Sequence, residues 1–234
     1  LDFRSLPEFL LDRGYTREEC LESGACSEAN GRIYDSLAGR LIVPIIDQMD
    51  EVIAFGGRLL EKSDRAKYKN TRETVLFNKS RTLFNLNQVK KLRRAGGLNS
   101  LIMVEGYMDA ISLAQAGFPN VVASMGTSLT KDQARLCKRY ADDVFISYDG
   151  DFAGQKANLR GLDIMKQEGL KVRVVPLPDG LDPDDVIRTQ GREGYQKCLD
   201  AAMPLIDFRI HAAKTKYDLS RTDDRRDFVR EALG

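Results

Sequence analysis

The sequence predicts an α/β fold: a parallel sheet with flanking helices, preceded by a mixed α+β segment and followed by helices. Three observations predict it. From residue 101 onward, short apolar runs alternate with stretches of helical length, as in successive βαβ units. Before residue 60, two β-branched runs are separated by a short polar loop, as in a hairpin. Residues 184–234 carry helical patterning. A chain of 234 residues forms one large domain or two small ones and can bury a substantial core.

Taken in order, residues 5–22 read as helical. Ser5 or Leu6-Pro7 starts one helix and Gly14 stops it, while Thr16 and Glu19 form a capping box for the next. Residues 23–31 read as a loop. Leu41–Ile46 and Val52–Phe55 read as strands joined across Asp47–Asp50. Pro44 removes a backbone donor and so assigns the first strand to an edge or a bulge. Residues 61–82 read as loop with a short strand, and residues 85–95 as a helix ending at Gly96-Gly97. Strands follow at 101–104, 120–123, 143–147 and 171–175. Helices are expected at 107–117, 130–140 and 152–168, then from near Asp184, after Gly191 and after Pro204.

Composition is ordinary for a globular protein, 42% hydrophobic and 30% charged. No apolar run is long enough to cross a bilayer, and the N-terminal stretch has no signal-peptide pattern. The four cysteines, Cys20, Cys26, Cys137 and Cys198, form no CxxC pair, and His211 is the single histidine. That pattern argues against a zinc site and fits reduced cysteines in a cytoplasmic protein. The net charge of +1 conceals an asymmetry. Residues 57–100 hold 12 Lys/Arg against 3 acids, whereas residues 101–200 hold 12 against 15. A basic segment beside an acidic one points to a polyanion held near a metal.

The acids fall in three clusters beyond strand ends. Leu101-Ile-Met-Val runs into Glu105-Gly106. The strand at 143–147 runs into Asp149-Gly-Asp151. The fourth strand leads to Asp182-Pro-Asp184. Carboxyl ends of strands are where open α/β sheets bind ligands. An Asp at a helix start also caps the helix. Three such clusters together would be costly without a cation, and Mg²⁺ favours carboxylate oxygen. Several carboxylates, a divalent ion and a basic flank fit phosphoryl transfer on a nucleic acid.

Glu105-Gly, Asp149-Gly-Asp151 and the shared strand–acid–helix pattern resemble a Toprim domain. A longer ordered set resembles the bacterial replicative DNA primase (DnaG) family. It comprises Glu105-Gly-Tyr-Met-Asp109, Ser124-Met-Gly-Thr-Ser-Leu129, Asp149-Gly-Asp151 with Gly154 and Ala157, and Leu181-Asp-Pro-Asp184 with Arg188. Gly39–Ile45, Ala54–Arg58, Lys67–Asn70 and Glu73-Thr74 resemble that family's basic subdomain. Thr71-Arg72 and Asn78-Lys-Ser80 depart from the family's frequent Ser-Pro and His-Lys-Gly.

The resemblance implies a basic subdomain at 1–98, a Toprim metal-binding subdomain at 99–192 and a truncated helical subdomain at 193–234. It implies a primase that joins NTPs on a single-stranded DNA template into an RNA primer, releasing pyrophosphate. Two or three Mg²⁺ or Mn²⁺ ions would be held by Asp149, Asp151, Asp182 and Asp184, with Glu105 as a further ligand or as the base. Arg40, Arg58, Lys67 and Lys79 are candidates for phosphates, and Tyr68 and Asn70 for a base or sugar. For any single one, a solvated face or ordinary packing is the alternative. Lys90, Lys91, Arg93 and Arg94 read as a solvated helix face. The chain begins without Met and ends in an apparent helix, so a catalytic core without the zinc-binding and helicase-binding parts is expected. Replicative helicase and single-strand-binding protein would be met through the full-length protein. The core is expected to be monomeric and cytoplasmic. The alternatives are a topoisomerase or nuclease fragment, or a non-catalytic nucleic-acid-binding Toprim module.

Overall fold

Gly14 separates two helices, α1 (Ser5–Asp12) and α2 (Arg17–Glu22). In α2 the capping box is formed: Thr16 Oγ1 accepts the Glu19 N–H at 3.2 Å and the Glu19 carboxylate accepts the Thr16 N–H at 2.7 Å. The computed structural model describes residues 3–61, 64–126, 128–149, 156–178 and 180–233. They fall into two units, Leu1–Asn87 and Gln88–Gly234.

In the first unit, β1 (Cys26–Ala29) and β2 (Arg32–Asp35) form an antiparallel hairpin. The expected loop at 23–31 is thus half strand. Its turn is Asn30-Gly31, with φ of 50° and 71°, as a two-residue hairpin loop demands. The strand goes unread because Cys-Ser-Glu-Ala carries no β-branched residue. A second sheet has the order β3 (Arg40–Ile46), β4 (Val52–Leu59), β5 (Tyr68–Asn70). Pro44 lies on edge strand β3 in register with Phe55, the first of the two placements expected of it, and the pairing with β4 shifts register later, at Ile45/Ile46. A 3-10 turn follows at Lys79–Arg81.

Arg40 organises this second sheet. It is 9% exposed. Its guanidinium donates to the carbonyls of Gly57 (3.2 Å), Lys67 (3.1 Å) and Ala66 (2.7 Å). A buried guanidinium is tolerable only when its donors are met, and here they meet three backbone carbonyls, one of which, that of Lys67, also accepts the Leu59 N–H at 2.8 Å. The side chain passes across Gly57: a Cβ there would stand 2.8 Å from Arg40 Cδ and 3.2 Å from Leu37 Cδ2.

Helix α3 (Leu86–Arg94) precedes the alternating region. The order is then β6 (Ser100–Val104), α4 (Tyr107–Gln115), β7 (Val121–Ala123), α5 (Lys131–Tyr140), β8 (Asp143–Ile146), α6 (Lys156–Gln167) and β9 (Lys171–Val174). α7 (Pro183–Asp200), β10 (Met203–Pro204), α8 (Leu205–Lys216) and α9 (Thr222–Leu233) follow. Strands β6 to β9 are parallel, in the order β9-β8-β6-β7, and β10 adds antiparallel to β9. Leu101, Met103, Val104, Val121, Val122, Val144 and Ile146 are fully buried, which explains the unbroken apolar runs: a parallel sheet is covered on both faces. α7 is one helix broken at Gly191, whose φ of 67° is non-helical.

Replacing Gly57 by Ala should displace the Arg40 side chain and overpack Leu37. A loss of about 1–3 kcal/mol in unfolding free energy, measured by urea titration, is expected. Unchanged stability would show that Arg40 does not hold these strands.

Candidate active site

The chain leaves β6 for β7 and then returns to the other side of β6 as β8. The strand order therefore reverses between β6 and β8, and a crevice outside their carboxyl ends is where such sheets take ligands. Glu105 follows β6. The Ser147 N–H donates to the Met103 carbonyl at 2.9 Å, extending the ladder past β8, and Asp149 emerges two residues later. The first two acidic clusters thus meet at the reversal. Glu105 is half-buried and Asp149 exposed. Burial, and then the charge of Asp149, push the Glu105 carboxyl above its ordinary value.

Asp109 is the acid that spacing did not single out. It lies one turn into α4, 9% exposed, and its Oδ2 accepts the Gly106 N–H at 3.2 Å. It also takes the backbone N–H of Asp184, at the start of α7. Burial, then Asp182 and Asp149, push its carboxyl up to about 7. The signal was present, an acid three residues after the helix cap, but it reads locally as capping alone.

Asp182 is the N-cap of α7, with Oδ1 accepting the Asp185 N–H at 2.7 Å. Asp184 lies in the first turn, half-buried, and is 3.8 Å from Arg188, whose exposure weakens the pair. α7 is held against the end of α4 by Arg192, which donates to the carbonyls of Ala116 (3.2 Å) and Gly117 (3.3 Å) and lies over Phe118. Phe118 in turn meets Tyr195 edge-on at 5.0 Å. These interactions bring the third acidic cluster to Asp109. Asp151 lies outside the described residues.

Among the described residues, no three acids, cysteines or histidines are gathered tightly enough to hold a metal. The donor chemistry nevertheless fits a hard divalent cation. The side chains here are carboxylates, and two of them are raised by burial and then by their neighbours' charge. A cation among them would relieve that repulsion. Beside Glu105 is a cavity of about 170 Å³ bounded by Ser124, Gly126, Ser128, Leu129 and Tyr148.

The basic candidates sit in the first unit. Pairing registers Leu41, Arg58 and Tyr68 in one row, and Val43, Gly56 and Asn70 in the next row but one. Arg58, Tyr68 and Asn70 therefore share one face of the sheet. Gly56 places no side chain between them. Tyr68 is exposed and Lys67 lies over its ring at 5.3 Å. Lys79 is half-buried in the 3-10 turn. Arg40 lies on the other face of the sheet, on its three carbonyls.

Comparison with known proteins gives two family matches. Residues 2–90 match the N-terminal domain of the DNA primase catalytic core, and residues 102–187 match a Toprim-like domain. The chain is 44% identical to a DNA primase of Clostridium acetobutylicum over 98% of its own length and 38% of that protein's. It therefore spans about two-fifths of the curated relative. Among solved structures it resembles a DnaG primase catalytic domain bound to ssDNA (TM-score 0.82, 36% identity, covering 96% of this chain and 71% of that one). It also resembles the Escherichia coli primase catalytic core (TM-score 0.81, 36% identity, 99% and 74%).

Asp109 fixes a pH dependence. Its folded value of about 7 lies above the ordinary 3.8, so the native state keeps a proton that the unfolded chain releases. Stability of the metal-free protein should rise as pH falls from about 7 toward 4 and be lost as pH rises through 7. Asp109→Asn should flatten that slope in thermal melts with chelator present. Parallel slopes for the two proteins would show that Asp109 is an ordinary carboxylate.

Proposed function

The chain belongs to the DnaG family of DNA primases, and from that premise we propose that it is the catalytic core of an RNA-primer-synthesising polymerase. The observation that supports this most directly is the convergence of Glu105, Asp149, Asp109 and the Asp182–Asp184 turn at the strand-order reversal. On this reading residues 1–98 handle nucleic acid, 99–192 form the Toprim subdomain and 193–234 belong to a helical subdomain.

Asp149, Asp151, Asp182 and Asp184 would hold two or three Mg²⁺ or Mn²⁺ ions, with Glu105 beside them. Such ions, when bound, stabilise the attacking and leaving oxygens of an in-line displacement. The primer 3′ oxygen bonds to the α-phosphorus of an NTP, the α–β bridging bond breaks, and pyrophosphate leaves. The hydroxyl proton needs an acceptor near its oxygen. Glu105 is suited to that role because burial and Asp149 raise its carboxyl and so make it the stronger base. It is equally placed to ligate.

Arg58, Lys67 and Lys79 would meet template phosphates. Tyr68 and Asn70 would take a base or sugar on the same sheet face as Arg58, by stacking and hydrogen bonding. Arg40 serves that surface by holding the carbonyls of Ala66 and Lys67. The partners are single-stranded DNA, NTPs and the RNA–DNA product, with the helicase and single-strand-binding protein engaged through the full-length protein. No helix among the described residues is long and apolar enough to cross a membrane. We place the core, as a monomer, in the cytoplasm.

In the full-length protein, Asp149→Ala should lower primer synthesis by about 100-fold or more while single-stranded DNA binding persists. Wild-type synthesis by that variant would overturn the site. Nicking or covalent capture of DNA without NTPs would instead favour a nuclease or topoisomerase. Glu105→Gln and Glu105→Asp separate ligand from base: lost Mn²⁺ affinity marks a ligand, and lost rate at unchanged affinity marks a base.

A further inference from the structure

Helices α3 and α5 run into the amino ends of adjacent strands. α3 ends at Arg94 before β6, α5 ends at Tyr140 before β8, and Ser100 pairs in register with Asp143. Their last turns therefore lie together at the edge of the sheet opposite the carboxylates, about 15 Å away along a five-residue strand. The α3 turn carries Lys91, Arg93 and Arg94, and the α5 turn carries Lys138 and Arg139.

The cations there divide into two kinds. Lys138 is neutralised by Asp142 at 2.5 Å, and in the preceding turn Arg135 reaches Glu168 at 3.1 Å. Arg93, Arg94 and Arg139 have no carboxylate partner among the described residues and are exposed. Arg93 is nonetheless fixed. Its guanidinium lies over the Tyr140 ring at 5.6 Å and donates to the Arg139 carbonyl. Burial raises the Tyr140 hydroxyl above its ordinary value, and the charges of Arg93, Arg139 and Arg94 offset part of that. A cation at a helix C-terminus needs no ligand to explain it. Three guanidiniums drawn from two helices around one phenol repel each other, and a helix dipole that fades within one turn does not fully offset that.

We propose that Arg93, Arg94 and Arg139 around Tyr140 form a second nucleic-acid contact, a seat for the phosphodiester backbone of single-stranded DNA on the side of the sheet away from the carboxylates. Guanidinium forks match phosphate oxygens in pairs. Lys90 and Arg94, four residues apart on α3, extend the row by about 6 Å along the helix. An acidic peptide would satisfy the charges too. DNA is favoured because the proposed activity already brings it to this protein, and the inference rests on that reading. The seat adds grip without touching the reaction, so it acts on template retention.

The test compares wild type with Arg94→Gln/Arg139→Gln in the full-length protein. Binding of labelled oligo-dT is followed by anisotropy across a salt series, and Mn²⁺ binding by calorimetry. The double variant should bind about tenfold more weakly, with its log–log salt slope reduced by about 1.4, or ~0.7 for each single-strand phosphate no longer neutralised. Mn²⁺ affinity should not change. Equal slopes and affinities in variant and wild type would overturn the second seat and leave the primase reading standing. If wild type itself fails to bind oligo-dT, both fall. Unchanged DNA binding with lost binding of a poly-glutamate probe would overturn the DNA seat in favour of an acidic protein partner.

Discussion

One buried carboxylate holds the site together. Asp109 accepts N–H groups at the start of two helices, α4 and α7, that are separated by more than seventy residues of chain. Each helix start has unpaired donors and a positive end, so a carboxylate between them is the natural bridge. Yet the same carboxylate lies within reach of Asp149 and Asp182, which repel it. The bridge that assembles the acids is therefore also the group they raise. Bringing Glu105, Asp149 and the Asp182–Asp184 turn together is possible because helix ends hold what like charge would spread.

The basic unit shows the complementary solution. Arg40 is spent on three carbonyls, and that use leaves Arg58, Tyr68 and Asn70 aligned on the opposite face with a glycine between them. Positive charge here has two separate uses, one internal that shapes the surface and one external that offers it. Counting Lys and Arg in a segment does not distinguish them.

The same distinction explains what was legible in the sequence. Leu101–Val104 and the runs after it were readable because a two-sided parallel sheet needs uninterrupted apolar strands, a local pattern. Pro44 was readable because a missing donor permits few positions. Glu105 and Asp149 were readable from their place at strand ends, though only the strand order put them side by side. Asp109 was not, since its second partner, the Asp184 N–H, is remote in the chain. Arg40 was half-legible: it stood among the candidates for phosphate, but the carbonyls it holds lie 17 to 27 residues away. The β1 strand went unread because its polar sequence carries no period, although Asn30-Gly31 marked its turn.

Strand β10 is only Met203–Pro204, pairing antiparallel with β9. An open sheet edge invites pairing with the edge of another molecule. Here the outermost residue is a proline, with no N–H to offer, and the chain turns at once into α8. At the other margin, β7 is three residues long. Both ends of the sheet are thus poor templates for strand addition. Resistance to pairing at these edges is built into the backbone and does not depend on surface charge.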